Sequence, residues 1–355
     1  MSSNTETVGL TDKVAFLKRP DSYAEAPKCV EAVETHLAWV FLTDRHAYKL
    51  KKPVRYAFLD FTTIAARHQD ALEEVRLNQR LAPGVYLGVV PLTVGDEGHL
   101  GLDHPGAPLD WLVKMRRLPR TQMLDYAIAA GTARDTTIRG VVARLVKFYR
   151  DAEVVRFDAE AYRARFRAEI DADALALGEP RYDLPLDLVA RTAAMQRAFL
   201  ERRGELLDSR TSAGRIVEGH GDLRPEHVCL GPPPVIIDCV EFNRDFRILD
   251  PADELAYLAM ECERLGAPWV GMTLFAHYTA LSGDGPPARL LHFYQSVRAG
   301  LRAKLSAWHV DDPTVRYPSK WYNRARAYLD LALRHAGEAL QPAQGPSSST
   351  IEPPS

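Results

Sequence analysis

The sequence predicts an α+β protein of two lobes, a small β-rich lobe at the N-terminal side and a larger helical lobe after it. Three observations support this prediction. The chain has 355 residues, which is long for one small core and sufficient for two packed lobes. Strand-like patterns with one inserted helix extend to residue 118, and helical patterns dominate from there to residue 340. We therefore predict lobes at 1–118 and 119–340, and a disordered Pro/Ser/Gly-rich tail at 341–355.

The N-terminal lobe is predicted from strand alternation and one apolar helical stripe. Tyr48 and Leu50 fall on one face of an alternating run, and a short polar turn joins this run to the apolar strand before it. Leu77 and Leu81 belong to the helical stripe, and Pro83 and Gly84 follow it as end signals. The predicted elements are strands at 38–42 and 46–51, a helix at 64–81, and strands at 86–94 and 109–115.

The C-terminal lobe is predicted to be helical with a single strand-rich interruption at 216–240. Within that interruption, the apolar runs 228–230 and 235–237 flank a Gly-Pro-Pro-Pro stretch, and this pattern predicts a hairpin with a rigid tip. The main predicted helices lie at 137–154, 186–207, 253–265, 288–305 and 320–340.

Composition excludes several functional classes. The formal net charge is −2, so no overall basic field would attract nucleic acid or a membrane surface. No apolar run approaches the ~20 residues that a membrane-spanning helix needs. The four cysteines form no CxxC pair or zinc-binding spacing, and they are expected to be reduced thiols. Together with a polar, acidic N-terminus, these features predict a cytoplasmic protein; the oligomeric state stays open.

The segment 220–227 carries side chains suited to phosphoryl transfer. That reaction needs a carboxylate to orient the acceptor hydroxyl, and oxygen ligands for a Mg²⁺ ion on the nucleotide phosphates. Kinase catalytic loops place a metal-binding Asn five positions after the base, and a second metal-binding Asp follows. Here Asp222 is followed five positions later by His227, and Asp238 ends the second strand of the predicted hairpin. The alternative roles are a turn residue for Asp222 and a strand-end cap for Asp238.

These motifs resemble the aminoglycoside phosphotransferase and choline kinase superfamily. The shared features are a His-Gly-Asp loop at 220–222, an Ile-Asp pair at 237–238, an Asp-Pro that opens a helix at 250–256, and a late helix at 294–304. The resemblance extends from about residue 30 to residue 310. It implies a protein-kinase-like fold, ATP and Mg²⁺ (or Mn²⁺) as cofactors, Asp222 as the catalytic residue, and His227 with Asp238 as metal ligands. It also implies that Asp250 anchors the catalytic loop, with a plain helix N-cap as the alternative.

The N-terminal lobe supports the same interpretation. Kinases place a lysine two positions after a small residue on a strand, and this lysine pairs with a helical glutamate. Lys49 has that spacing, with Lys51 as the next candidate, and Glu74 lies on or near the buried face of the predicted helix. The alternatives are solvated surface charges for the lysines and for Glu74. Lys114 and Met115 occupy the place of the hinge that contacts adenine through its backbone.

Three features depart from the superfamily pattern. His227 stands where the family has Asn, and imidazole suits Mg²⁺ less well than an oxygen ligand does. No glycine-rich loop is present at 34–37, where one would cover the phosphates. Finally, twelve positions separate Asp238 from Asp250, and the added stretch 243–247 brings two arginines. That stretch is either a surface loop or a contact for an acidic or phosphorylated substrate.

The sequence therefore predicts an ATP-dependent phosphotransferase that acts on a hydroxyl group of a small molecule. The alternative is a pseudokinase, which would bind nucleotide or a partner without turnover, because His227 replaces the metal-binding Asn. Antibiotic resistance is a third, weaker interpretation, since an aminoglycoside is a polycation and the helices at 143–167 are rich in arginine. The acceptor, and the choice between ATP and GTP, stay open.

Overall fold

A computed structural model describes residues 8–56, 58–95, 98–311 and 317–341. The helices are α1 (Leu10–Leu17), α2 (Ile64–Asn78), α3 (Leu124–Ala129), α4 (Asp135–Asp151), α5 (Ala159–Leu177), α6 (Leu186–Arg203), α7 (Glu205–Ser212), α8 (Pro251–Arg264), α9 (Pro268–Ser282), α10 (Ala288–Trp308) and α11 (Pro318–Leu340). The strands are β1 (Glu31–Glu34), β2 (Ala38–Leu42), β3 (His46–Lys51), β4 (Arg55–Tyr56), β5 (Leu59–Asp60), β6 (Tyr86–Val94), β7 (Leu100–Leu102), β8 (Ala107–Arg116), β9 (Val217–Glu218), β10 (Val228–Cys229), β11 (Val235–Ile236) and β12 (Ile248–Leu249).

Contacts divide the described residues into two compact units. The first comprises the residues up to Glu153 together with 217–254 and 261–283, and the second comprises 154–216, 255–260 and the residues from Asp284 onward. The predicted boundary at residue 118 falls inside the first unit, and the division into 1–118 and 119–340 stays a prediction. The predicted tail at 341–355 lies outside the described residues except for Gln341.

The first unit contains a six-stranded antiparallel sheet in the order β1-β2-β3-β8-β6-β7. The alternation read in the sequence places Tyr48 and Leu50 in a buried cluster with Phe41 and Leu112. Helix α2 packs against β6 and β8, and its first turn is capped by Thr63, whose hydroxyl accepts from the Ala66 N–H at 3.1 Å. This arrangement places α2, which carries the predicted Glu, beside the sheet whose strand β3 carries the predicted Lys.

The predicted hairpin of the first unit is present. Strands β10 and β11 pair antiparallel, with Val228 opposite Ile236. Strand β9 pairs with β12. Strand β9 lies directly before the His-Gly-Asp loop, and β12 lies directly after the added stretch 243–247. The catalytic-loop residues are therefore held by two small ladders at their ends.

The second unit is helical. Helix α10 packs against α11 and α5, and α6 packs against both α5 and α11. Its buried cluster combines aromatic side chains with small ones, which let the helices approach closely; the cluster includes Tyr257, Ala299, Ala303, Tyr328 and Ala332. The predicted helices agree with the structure to within a few residues, except that the segment predicted at 186–207 divides into α6 and α7 at Gly204. Helices α5 and α9 were not among the predicted segments.

All four cysteines are free, and three of them are buried. In the part of the chain that the structure describes, no helix is both long enough and apolar enough to cross a membrane.

Candidate active site

Lys49 on β3 meets Glu74 on α2. The Lys49 Nζ is 2.9 Å from Glu74 Oε1 and also 2.9 Å from Asp238 Oδ1. The Glu74 side chain is fully buried, so it is not an exposed helix charge. The structure thus brings three of the predicted site residues into direct contact, while their roles toward nucleotide stay a prediction.

Lys51, the alternative lysine, is buried more deeply than Lys49. Its Nζ lies 2.7 Å from Glu74 Oε2 and 2.5 Å from Asp70 Oδ2, and it also pairs with Glu241. The Glu74 carboxylate therefore joins two lysines through its two oxygens. Neither lysine belongs to a solvated charge run, because both are enclosed by carboxylates.

Burial and charge act in opposite directions on these groups. Burial alone would lower the pKa of Lys49, but the Asp238 and Glu74 carboxylates hold that pKa well above its usual range. Burial alone would raise the pKa of Glu74, but the two lysines keep it below its ordinary value. For Glu241, the effect of burial is larger than the opposing effect of the Lys51 charge, and it raises the pKa to about 7. The network thus contains one carboxyl that titrates near neutrality.

The His-Gly-Asp loop is held by buried hydrogen bonds. His220 is fully buried; its Nε2 lies 2.8 Å from the Ile237 carbonyl oxygen, and its Nδ1 accepts from the Asp222 N–H at 3.3 Å. Burial lowers the pKa of this imidazole. Gly221 has a φ of +91°, and a Cβ there would lie 3.1 Å from the Phe246 carbonyl oxygen, so only glycine fits. His220 and Gly221 therefore act as supports that present Asp222.

Glu254, which the motif analysis did not single out, anchors this loop. Its Oε1 accepts from the backbone N–H groups of His220 at 2.9 Å and Gly221 at 2.6 Å, and its Oε2 accepts from the Tyr149 hydroxyl at 2.7 Å. The family resemblance implied this anchoring role for Asp250. The Asp250 carboxylate caps α8 by accepting from Ala252 N–H at 2.9 Å, which is the alternative that was left open.

Arg224 occupies the centre of the catalytic loop. Its Nε donates to Asp222 Oδ1 at 2.9 Å, one of its terminal nitrogens pairs with Glu226, and the other lies 3.1 Å from His227 Nε2. Sequence reasoning missed this residue. Its position two residues after Asp222, within a loop otherwise rich in carboxylates and histidines, was the available signal.

His227 lies between the two catalytic-site aspartates. Its Nδ1 is 2.8 Å from the Asp222 carbonyl oxygen, and its Nε2 is 3.4 Å from Asp238 Oδ2. A carbonyl can only accept, so Nδ1 carries the hydrogen, and in the neutral ring Nε2 accepts from Arg224. The Nε2 lone pair, the one available to a metal, is thus engaged by a guanidinium.

Asp238 has an unusual backbone and an engaged carboxylate. Its φ is +64°, in the left-handed region that non-glycine residues rarely adopt, and its N–H donates to the Tyr86 hydroxyl at 3.1 Å. Burial alone would raise the pKa of Asp238, but Lys49 and His227 keep it well below its usual range. The carboxylate is therefore ionised and turned toward the lysine of the sheet.

A cavity of about 550 Å³ joins these groups. It is lined by Lys49, Glu74, Asp222, Arg224, His227, Asp238 and Glu241, and also by Met115, Arg116, Arg117 and Leu118. Lys114 pairs with Tyr48 across the sheet, and its ammonium lies 5.8 Å from the Tyr48 ring. The contact of Lys114 and Met115 with a nucleotide base stays a prediction.

The donor set fits a metal ion only in part. Asp238 Oδ2 and His227 Nε2 are close enough to share one ion, but among the residues that the structure describes no group of three or more His, Cys, Asp or Glu is placed to hold a metal. Mg²⁺ is commonly bound by one or two carboxylates together with substrate phosphates and water. The site fits an ion held jointly with a nucleotide, and it does not fit a cage built by the protein alone.

Comparisons with known proteins confirm the fold. A choline kinase from Cryptosporidium parvum superposes with a TM-score of 0.52 at 10% identity, covering 92% of this chain and 95% of that chain. A thermostable mutant of an aminoglycoside phosphotransferase, in its apo form, has a TM-score of 0.51 at 11% identity, covering 86% and 94%. The chain therefore has the α+β, two-lobed protein-kinase-like fold of the superfamily that its motifs resemble. Identity this low shows the fold alone.

Curated relatives by sequence are uncharacterised. Proteins of Mycobacterium tuberculosis and Mycobacterium bovis are each 32% identical over 287 residues, which is 78% of this chain and 54% of the relative. The chain spans about half the length of these relatives. No family model matches it.

Proposed function

We propose that this chain is an ATP-dependent phosphotransferase that acts on a hydroxyl group of a small molecule. The observation that carries the proposal is the convergence of Lys49, Glu74, Asp222 and Asp238 on one cavity. Phosphoryl transfer depends on positioning and charge stabilisation more than on covalent chemistry, and these groups supply both.

In this proposal, Lys49 leaves Asp238 when nucleotide binds and pairs with the nucleotide phosphates, while Glu74 keeps its ammonium aimed at them. Asp238, with His227, would hold the divalent ion, which supplies neutralising charge for the phosphates when bound. Met115 and the residues after it line the same cavity, and their backbone would contact the base. The Lys49–Asp238 contact is the one that nucleotide binding would break in this proposal.

Asp222 would orient the acceptor hydroxyl and take its proton. The acceptor oxygen forms a bond to the γ-phosphorus as the bond from phosphorus to the β–γ bridging oxygen breaks, and ADP leaves. Arg224, next to Asp222, would neutralise charge on the transferred group. It must first loosen its contact with Asp222, and that exchange is available because both side chains line the cavity.

A pseudokinase is the second candidate, and one observation favours it. Arg224 engages both Asp222 and the metal-facing nitrogen of His227, and Lys49 engages Asp238, so each proposed catalytic group already has an internal partner. A site in which these pairs persisted with nucleotide present would bind without turnover.

Two experiments separate the two candidates. The first is titration calorimetry with ADP and ATP, without metal and with Mg²⁺ or Mn²⁺. The second is an ATP-consumption assay over a panel of hydroxyl compounds. We expect nucleotide binding that is strengthened by metal and lost in Lys49→Met, and acceptor-dependent ATP consumption that is lost in Asp222→Asn. Metal-dependent binding without consumption over the whole panel would favour the pseudokinase. Absence of nucleotide binding would refute the phosphotransferase and the nucleotide-binding pseudokinase.

A further inference from the structure

Both arginines of the added stretch between Asp238 and Asp250 pair with carboxylates, and the Arg244 side chain is 49% exposed. The buried Arg247 places Nε 2.7 Å from Glu218 Oε1 and a terminal nitrogen 3.1 Å from Glu73 Oε1. Arg244 reaches Glu153 Oε2 at 3.0 Å. Both arginines thus anchor the stretch to neighbouring segments of the same unit. The interpretation of this stretch as a contact for an acidic or phosphorylated substrate stays a prediction.

Aromatic rings also lie on the outer surface of this stretch. Phe242 and Phe246 lie 6.0 Å apart between ring centroids. The ring of Phe58, from the β4–β5 hairpin, is 5.7 Å from Phe242 and 5.8 Å from Phe246. Tyr56 stacks on Phe58 at 5.8 Å with an interplanar angle of 9°. Four rings from two separate segments therefore form one continuous aromatic cluster.

The cluster is unusually open to solvent. The exposed fractions are 42% for Tyr56, 38% for Phe58 and 46% for Phe246. Single exposed apolar side chains need no explanation, but contiguous ones at the edge of a cavity commonly mark a binding surface. The support beneath this cluster is rigid, because buried Arg247 and the β9–β12 ladder hold one side.

The cluster adjoins the proposed catalytic residue. Phe242 lines the same cavity as Asp222. The carbonyl oxygen of Phe246 lies 3.1 Å from where a Cβ would stand on Gly221, the residue immediately before Asp222. The cluster therefore reaches the cavity that Asp222 lines through Phe242, and it lies beside the backbone that precedes Asp222.

We propose that Tyr56, Phe58, Phe242 and Phe246 form an aromatic platform that binds the apolar face of a ring in the acceptor. An aromatic ring and the C–H face of a sugar both offer such a face, and both can carry the hydroxyl. Offset stacking on rigid rings binds at low entropic cost. The role of this ligand as acceptor rests on the proposed phosphotransferase function, whereas its binding does not.

Ligand-observed saturation-transfer NMR tests the platform without requiring turnover. The probes are two matched pairs of hydroxyl compounds, phenyl β-glucoside with methyl β-glucoside, and 2-phenylethanol with ethanol. We expect the phenyl member of each pair to bind more tightly, with transfer strongest to its ring protons. Phe246→Ala and Phe58→Ala should each weaken phenyl-probe binding by roughly three- to tenfold, the scale of one aromatic contact. Methyl glucoside binding that is weakened by the same variants would point to the sugar face.

Met272→Ala is the matched control, because Met272 is 70% exposed in the same unit and lies outside the cluster. It should change no probe affinity, and circular dichroism should show that all variants are folded. Equal probe binding by wild type and both phenylalanine variants would overturn the platform, even if nucleotide binding and ATP consumption are found. Sedimentation gives a second route to rejection: self-association that Phe246→Ala abolishes would make the cluster a contact between copies. Failure of ATP consumption alone would leave the binding result intact and refute only the acceptor role.

Discussion

Two ion clusters in the first unit differ sharply in burial. The cluster around Lys51, formed with Asp70, Glu74 and Glu241, is enclosed: the Lys51 side chain is 2% exposed and Glu74 is 0% exposed. The cluster around Arg224 is half open, with 28% exposure for Asp222 and 34% for Glu226. Both contain a cation that contacts several partners, yet only the second can exchange its partners with water or a ligand.

This difference in burial distinguishes charges that stabilise the fold from charges that are able to change partners. Buried charges lose their hydration and depend on each other, so removing one leaves its partners uncompensated. Partly exposed pairs are screened and contribute little to stability, so they can break during a reaction cycle. Lys49 lies between the two clusters, because it contacts the buried Glu74 and the more exposed Asp238. We infer that Lys51 holds Glu74 in place while Lys49 is released to the nucleotide.

The largest expected effect is on stability and concerns the buried cluster. Lys51→Met would leave three carboxylates without their shared cation, and we expect the free energy of unfolding to fall by about 3–5 kcal/mol, the usual cost of breaking a buried pair. Chemical denaturation measures it. Lys52→Met is the control, since Lys52 pairs with the exposed Glu34 and should cost less than about 1 kcal/mol. Similar losses in both variants would show that the buried network does not support the fold.

The second-largest expected effect concerns the cluster around Arg224, and it is a loss of turnover rate rather than of stability. Asp222→Asn removes the proposed base, and we expect a rate loss of roughly 10²-fold or more with folding and nucleotide affinity nearly intact. Glu226→Gln also loses a contact to Arg224 but keeps the proposed base. Steady-state kinetics should separate the two variants, and an equal loss in both would assign the effect to Arg224 instead.

The third expected effect is on the pH dependence of stability, and it concerns Glu241 in the cluster around Lys51. Burial raises the pKa of Glu241 from its ordinary 4.5 to about 7, so between these values the folded state binds more protons than the unfolded state. The free energy of unfolding contributed by this group therefore falls as pH rises from 4.5 to 7, and it is level above 7. Glu241→Gln should remove that slope in denaturation series across this range, while Glu34→Gln should keep it. A slope that persists in Glu241→Gln would reject this assignment.

The smallest expected effect is on metal choice in the open cluster. His227→Asn replaces an imidazole nitrogen by an amide oxygen, which Mg²⁺ prefers. We expect the ratio of ADP affinities with Mn²⁺ and Mg²⁺ to shift several-fold toward Mg²⁺, with little change in affinity without metal. If the ratio is the same in both proteins, His227 does not ligate metal, and its contact with the Asp222 carbonyl is its main role.

The sequence by itself determined the elements and the motif positions. Strand alternation over 46–51 placed Tyr48 and Leu50 in the core, and the interrupted apolar runs after residue 227 predicted the hairpin. The spacing of Asp222, His227 and Asp238 predicted residues that the structure brings to one cavity. These predictions succeed because periodicity and turn chemistry are local, and because the loop and hairpin are consecutive in the chain.

Only the tertiary structure decided which charges meet. Lys49 and Lys51 look alike in the sequence, and their different burial follows from how β3 packs beside α2 and the segment around Glu241. Glu254 reaches the backbone N–H groups of His220 and Gly221 from a position one turn of α8 after Asp250. Arg247 is buried against Glu218 and Glu73, whereas Arg244 and Phe246 are exposed, which composition alone cannot tell. The physical reason is that the partners of a charge or a ring are set by long-range packing, whereas local sequence sets only the direction and period of each element.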